Sequence, residues 1–253
     1  MPESKPEPPA ATGLVHEQVF RQLRGALMAG RFASGQKLPL RALAAEMGTS
    51  LMPVRDALQR LESLGALVST PGRTMMVPVL SAAERADLIR LRLLLESETV
   101  AAAAEQRSEA ELADLAEESA VMRAAAQRGD TAAFLAANLR FHQAIAAAAR
   151  IHFLEALLDP LWMRIGPLVR EQTPDRENML RTADYHDAVL RALIRRDAGA
   201  ARAAIASDIL DGAPAVTGCQ LPQTGSAPEP GPVPGLVPGA GPGGAPGAGL
   251  SRR

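Results

Sequence analysis

The segment from Leu40 to Leu61 constrains this chain more than any other. Leu40, Leu43, Ala44 and Met47 share one helical face, and Leu51, Val54, Leu58 and Leu61 share another. Gly48 stands between them, where it can end the first helix and turn the chain sharply. Ser50 is a suitable N-cap, and Pro53 fits only in a first helical turn. Two short helices joined by a glycine turn predict a helix-turn-helix, although a plain helical hairpin inside a bundle would share the pattern.

The next twenty residues favour the helix-turn-helix. Ala66–Thr70 and Thr74–Val79 read as two short strands around Pro71-Gly72-Arg73, a turn flanked by β-branched residues. A helix-turn-helix succeeded by a hairpin is a winged helix. The second helix leaves Ser50, Met52, Arg55, Gln59 and Arg60 on its outer side, which suits a DNA major groove. Arg41 and Arg55 are the candidates for phosphate or guanine contacts, with Ser50, Met52 and Gln59 adding local ones. Gly72 and Arg73 at the hairpin tip would sit in or over the minor groove.

Charge is distributed to match. Residues 13–79 hold eight basic and four acidic side chains, a balance of +4, whereas residues 80–212 hold 16 arginines against 21 acids, a balance of -5. Only the basic head should approach DNA phosphates. The single cysteine, Cys219, excludes an intrachain disulfide and fits a reducing cytoplasm. Neither a secretory leader nor a membrane-length apolar run is legible.

The chain is 47% hydrophobic but only 3% aromatic, so its core must come from Ala, Leu, Val and Ile, which favours helices. Residues 1–12 are rich in Pro and Glu and read as disordered. A first amphipathic helix runs from Leu14 to Met28 and ends at Gly30. Beyond the wing, Ser81-Ala82-Ala83-Glu84 and Ser108-Glu109-Ala110-Glu111 are capping boxes that open two helices. Asp130 caps a third that runs to Arg150, and Phe153–Val169 forms a fourth, bent at Pro160 and Pro167. Thr173-Pro174 starts a fifth that reaches Arg196, and Asp197 caps the last, which ends near Asp211. Residues 213–253 are a Pro/Gly/Ala tract that cannot bury a core. The fold class is therefore mostly α: a winged helix-turn-helix with a small β-hairpin over residues 13–79, an antiparallel helical bundle over 80–212, and a disordered tail.

The head resembles the GntR family of bacterial transcription regulators, from about Leu14 to Val79. Gly30-Arg31-Phe32, Gly35-Gln36-Lys37-Leu38-Pro39, Leu43-Ala44, the run Ser50–Leu61 and Gly65-Ala66-Leu67 carry the resemblance. Between Ser81 and about Leu210 the bundle is similar to the effector domain of the family's FadR-like branch. That likeness rests on Leu91–Glu96, Asn138–His142, His186–Leu193, Arg196-Asp197 and Ala201. One departure stands out: where such heads carry a basic residue after the Ser or Thr, this chain has Leu51.

The resemblance implies a ligand-responsive regulator, a repressor, working as a cytoplasmic homodimer on palindromic double-stranded DNA, with its dimer surface around Leu88–Leu115. It also implies a pocket in which an Asp or Asn and three His hold a divalent metal. Asn138, His142 and His186 match, and the third His is expected near Arg164. Three neutral ligands without a carboxylate make a weak site for Zn, Ni or Mn. An arginine beside them favours a small carboxylate effector held directly, with Arg92, Asn138, His142, Arg164 and His186 lining the pocket. A lone buried His is more often a core residue, and an Arg92–Glu96 pair one turn apart is more often a surface salt bridge. Two other functions fit less well. A metal-dependent enzyme lacks a nucleophile motif or phosphate loop here, and an architectural DNA-binding protein needs no polar cluster in the bundle.

Overall fold

The computed structural model describes residues 9–211 other than Pro174. Residues 1–8, the tail over 212–253 and Cys219 lie outside the described residues. The elements run in order: α1 (Pro9–Met28), β1 (Lys37–Leu38), α2 (Leu40–Glu46), α3 (Leu51–Ser63), β2 (Val68–Ser69), β3 (Met75–Met76), α4 (Ala82–Gln106), α5 (Glu109–Arg128), α6 (Thr131–Ala148), α7 (Leu154–Gln172), α8 (Arg176–Ile194) and α9 (Ala198–Asp211).

In the head, α2 ends at Met47 and Gly48 takes the left-handed turn at φ +61°. The next helix starts at Ser50, whose backbone is extended but whose hydroxyl makes no capping hydrogen bond. Pro53, Val54, Ala57, Leu58 and Leu61 form its buried face. Leu51, which the spacing placed with Val54, Leu58 and Leu61, is instead 40% exposed in the first turn, where no neighbouring helix covers it. The expected hairpin is the strand pair Val68–Ser69 and Met75–Met76, but the sheet has a third strand. Lys37 pairs with Met76 and Leu38 with Met75, giving the antiparallel order β1-β3-β2. Pairing of this kind joins residues nearly forty apart, so local periodicity could not reveal it. The first helix also starts earlier than its periodic residues suggest, at Pro9 rather than Leu14.

The other half is all helix. Both capping boxes form, with Ser81 and Ser108 accepting from the N3 backbone while Glu84 and Glu111 reach back. Asp130 and Asp197 cap as expected, through Ala133 N at 3.0 Å and Ala200 N at 2.9 Å. One boundary moves: Asp175 caps α8 by accepting from Asn178 N, and Thr173 instead ends α7. Pro160 and Pro167 lie inside α7, which continues through both. In the bundle, α5 packs on α6 and α8, while α9 packs on α4 and α8. On the head side, α1 packs on both α3 and α7. One apolar cluster runs unbroken from Leu27 and Leu61 in the head to Met163, Phe141 and Ile205 in the bundle.

Candidate functional site

The outer side of α3 divides in two. Asp56 meets His16 of α1, with Nδ1 to Oδ2 at 2.9 Å. Arg60 donates to Glu17 at 2.9 Å, and its guanidinium carbon lies 3.6 Å above the centre of the Phe20 ring. These two charges face α1 and hold the helix in place. The side turned away from α1 carries Leu51, Met52, Arg55 and Gln59, all exposed. Among the described residues, Arg41, Arg55 and Arg73 have no ion pair. At the wing tip Arg73, not Gly72, adopts the left-handed conformation, at φ 56°, closing the turn with its N–H on the Thr70 carbonyl at 2.8 Å. An arginine there is uncommon, and glycine would hold the same backbone with less strain.

The second polar cluster lies inside the bundle. Arg92 and Glu96 come from α4, Asn138 and His142 from α6, His186 from α8 and Asp208 from α9. The Arg92–Glu96 pair is not the surface salt bridge that its spacing suggested. Arg92 is 7% exposed and Glu96 4%, and Arg92 Nε donates to Glu96 Oε1 at 2.8 Å. Burial opposes ionisation of Glu96, but Arg92 and His142 outweigh it and hold its carboxyl well below the usual range.

The proton positions are set by neighbours. His142 Nδ1 lies 2.9 Å from Glu96 Oε2 and must carry hydrogen, since a bare lone pair there would repel the carboxylate. The approach is off the ideal hydrogen-bond line, leaving that oxygen otherwise unpartnered. His186 Nδ1 lies 2.9 Å from the Thr182 carbonyl oxygen and donates to it. Burial pushes the His186 pKa down, keeping the ring neutral. The two Nε2 atoms face each other at 3.3 Å, and with both rings neutral each presents a lone pair. Asp208 Oδ2 stands 3.7 Å from His142 Nε2. In that state two lone pairs and a carboxylate converge without a donor, an arrangement that suits a cation or a proton between them.

A divalent metal fits this set. With metal–nitrogen bonds of about 2.05 Å, ligand atoms of a tetrahedral site stand about 3.3 Å apart. His142, His186 and Asp208 offer ligand atoms all within 4.8 Å of one another. Asp208 thus supplies the carboxylate that Asn138, His142 and His186 lack among themselves. Asn138 lines the adjoining cavity, beside Arg92, His142, Thr173, Arg181 and Asp208. That cavity is small, about 30 Å³, and a water needs at least about 10–15 Å³.

Arg164 is not in this cavity. Its guanidinium donates to the Pro160 carbonyl at 2.8 Å and to the Leu64 carbonyl at 3.1 Å, at the end of α3. The expected anion clamp of Arg164 with the two histidines is therefore not built. A cation at a helix C-terminus satisfies carbonyls that lack partners, which explains the placement. The same side of α7 holds more of the head. Arg24 of α1 pairs with Asp159, and Arg170 donates to the Gly30 carbonyl at 3.2 Å. At Gly166 a side chain would meet the Leu27 carbonyl oxygen at 2.1 Å, so α1 and α7 touch through backbone. Further along the same helix, Val169, Gln172 and Thr173 line the polar cavity.

Comparison with known proteins agrees with both halves. Residues 15–77 match the family described as bacterial regulatory proteins, gntR family, and residues 87–210 match the FCD domain. The HTH-type transcriptional regulator McbR of Escherichia coli (strain K12) is 33% identical over 150 residues, covering 59% of this chain and 68% of that protein. This chain belongs to the GntR family of bacterial transcription regulators. The solved structure of E. coli McbR/YncC superposes with a TM-score of 0.71 at 28% identity, over 77% of this chain and 93% of that one. A GntR-type regulator from Rhodococcus sp. RHA1 shares the fold, with a TM-score of 0.65 at 20% identity, over 78% and 94% of the two chains. The regulator binds DNA and carries an FCD effector-binding domain; it is not an enzyme. Among the described residues no helix is long and apolar enough to cross a membrane.

Asp208 is the member of this polar cluster that sequence reasoning missed. A signal was present: Ala201, Ile205 and Ile209 form the buried stripe of α9, and Asp208 lies on it at helical spacing. A carboxylate on an apolar stripe needs a partner, but its partners come from two other helices.

Proposed function

We propose that the regulator is a cytoplasmic homodimeric repressor of the FadR-like branch, released from a palindromic operator by a small carboxylate. One observation carries this reading: α7 both walls the polar cavity, through Val169, Gln172 and Thr173, and seats the DNA-binding head, through Gly166, Arg164 and Arg170. The cavity as it stands admits little more than water. A metabolite entering it must displace its walls, and movement of α7 reaches the head through Gly166, Arg164 and Arg170. Arg92 supports an anionic ligand. Its Nε is occupied by Glu96, while its terminal amino groups have no hydrogen-bond partner among the described residues and line the cavity. Arg181 stands at the same cavity, paired with Asp211.

His142, His186 and Asp208 would hold a divalent cation, of which Zn suits the geometry, with Ni and Mn as alternatives. When bound, that cation would offer a coordination position to the carboxylate. Arg92 would orient the anion, and Glu96 fixes the His142 ring and its tautomer. Leu91 and Leu94, both exposed on α4, support a dimer surface within Leu88–Leu115. The test is a thermal-shift screen of organic acids, with and without each metal, together with elemental analysis of untagged protein. Stabilisation by a carboxylate in wild type but not in Arg92→Ala is expected. No stabilisation by any acid, with or without metal, would reject the carboxylate reading.

A further inference from the structure

The unpaired side of α3 carries an apolar pair in its first turn. Leu51 is 40% exposed and Met52 54%. Every other aliphatic side chain of that helix is buried. Polar side chains would be the ordinary occupants of an exposed first turn, so these two positions need a surface to meet. The geometry says which. Asp56 and Arg60 face α1, so the stripe left for DNA is Leu51, Met52, Arg55 and Gln59, at spacings of three and four residues. In a helix-turn-helix the first residues of the second helix are those that reach base edges. Ser50 leaves its hydroxyl free at the same end, and the surrounding head is positively charged.

The major groove offers one apolar group, the C5 methyl of thymine. We infer that Leu51 and Met52 read thymine methyl groups, so that the operator half-site places T·A pairs beside the base pair read by Arg55. By the same chemistry Arg55 is matched to the O6 and N7 of guanine, and Gln59 to the N6 and N7 of adenine. Specificity at the thymine positions then comes from buried methyl surface and not from a hydrogen bond. The inference rests on α3 being the groove helix.

The test uses the full-length protein. Operators are selected from random duplexes, and each thymine of the preferred half-site is then replaced singly by deoxyuridine, which removes only the methyl. Loss of one buried methyl should weaken wild-type binding about fourfold, at one or two positions. Leu51→Ala or Met52→Ala should bind the thymine operator more weakly and lose that penalty at the corresponding position. Deoxyuridine neutral at every position overturns the inference, as does an equal penalty in wild type and both variants. Arg55→Ala separates the two levels. If it binds like wild type, α3 is not the groove helix; if it binds weakly while deoxyuridine is neutral, only the thymine reading fails. Thermal unfolding of each variant at the wild-type temperature shows that the surface changes leave the fold intact.

Discussion

Gly166→Ala tests the contact on which communication between the two halves depends. A methyl at Gly166 would stand 2.1 Å from the Leu27 carbonyl oxygen and 2.6 Å from that of Met28. Ordinary carbon–oxygen contact begins at about 3.3 Å, so α1 and α7 must separate by about 1 Å. Both obstacles are backbone and cannot rotate aside. Overpacking costs about 1–3 kcal/mol, and an unyielding backbone puts this case at the upper end, about 3 kcal/mol. For a folded unit of roughly 200 residues that lowers Tm by about 6–12 °C. Gly48→Ala provides the contrast. Gly48 has φ +61° and nothing within 4 Å, so its alanine suffers backbone strain alone, about 1 kcal/mol. Urea unfolding of the full chain measures both. Gly166→Ala should also keep operator affinity while answering less to effector, because the head is held less firmly to α7. An unfolding free energy within about 0.5 kcal/mol of wild type would refute the close-contact argument, and an unchanged effector response would refute the coupling.

The remaining predictions concern individual side chains. Arg55→Ala should lose about 1–3 kcal/mol of operator affinity in gel-shift titration with Tm unchanged. Arg73→Ala should weaken all sequences alike and reduce the salt slope by about one unit. Arg73→Gly should do the same to binding while relaxing the left-handed turn, so chemical denaturation should show it no less stable than wild type. His142→Ala or Asp208→Ala should lose stoichiometric metal in elemental analysis and leave DNA binding in place. Arg164→Ala should bind metal and carboxylate like wild type yet respond to them less at the operator, since its guanidinium caps α3 and does not face the cavity.

Local pattern carried most of the architecture. Apolar spacing between Leu40 and Leu61, a glycine needing φ > 0, and two Ser-x-x-Glu boxes are effects that act within one or two turns of chain, so they are legible in order along it. Met52, Arg55 and Gln59 on the outer side of α3, and the hairpin, were legible for the same reason, whereas Leu51 was read as buried and is exposed. Chain order also placed Asn138 one turn before His142 and so marked a pocket-facing side of α6. What tertiary structure alone decided are contacts between residues far apart in the sequence. Strand β1 exists because Lys37 and Leu38 find β3. Asp208 joins His142 and His186 because α9 lies against α4 and α8. The family resemblance put Arg164 at the place of a third histidine, and so beside His142 and His186. In space the side chain meets the head instead, where the unpaired carbonyl of Leu64 at the end of α3 attracts it. Likewise Arg60 looks like a groove residue on the isolated helix, and only the packing of α1 draws its charge, with that of Asp56, away, leaving Leu51, Met52, Arg55 and Gln59 to face outward. A helical period fixes which residues share a side; which neighbour that side meets depends on the docking of other helices, and no local spacing encodes it.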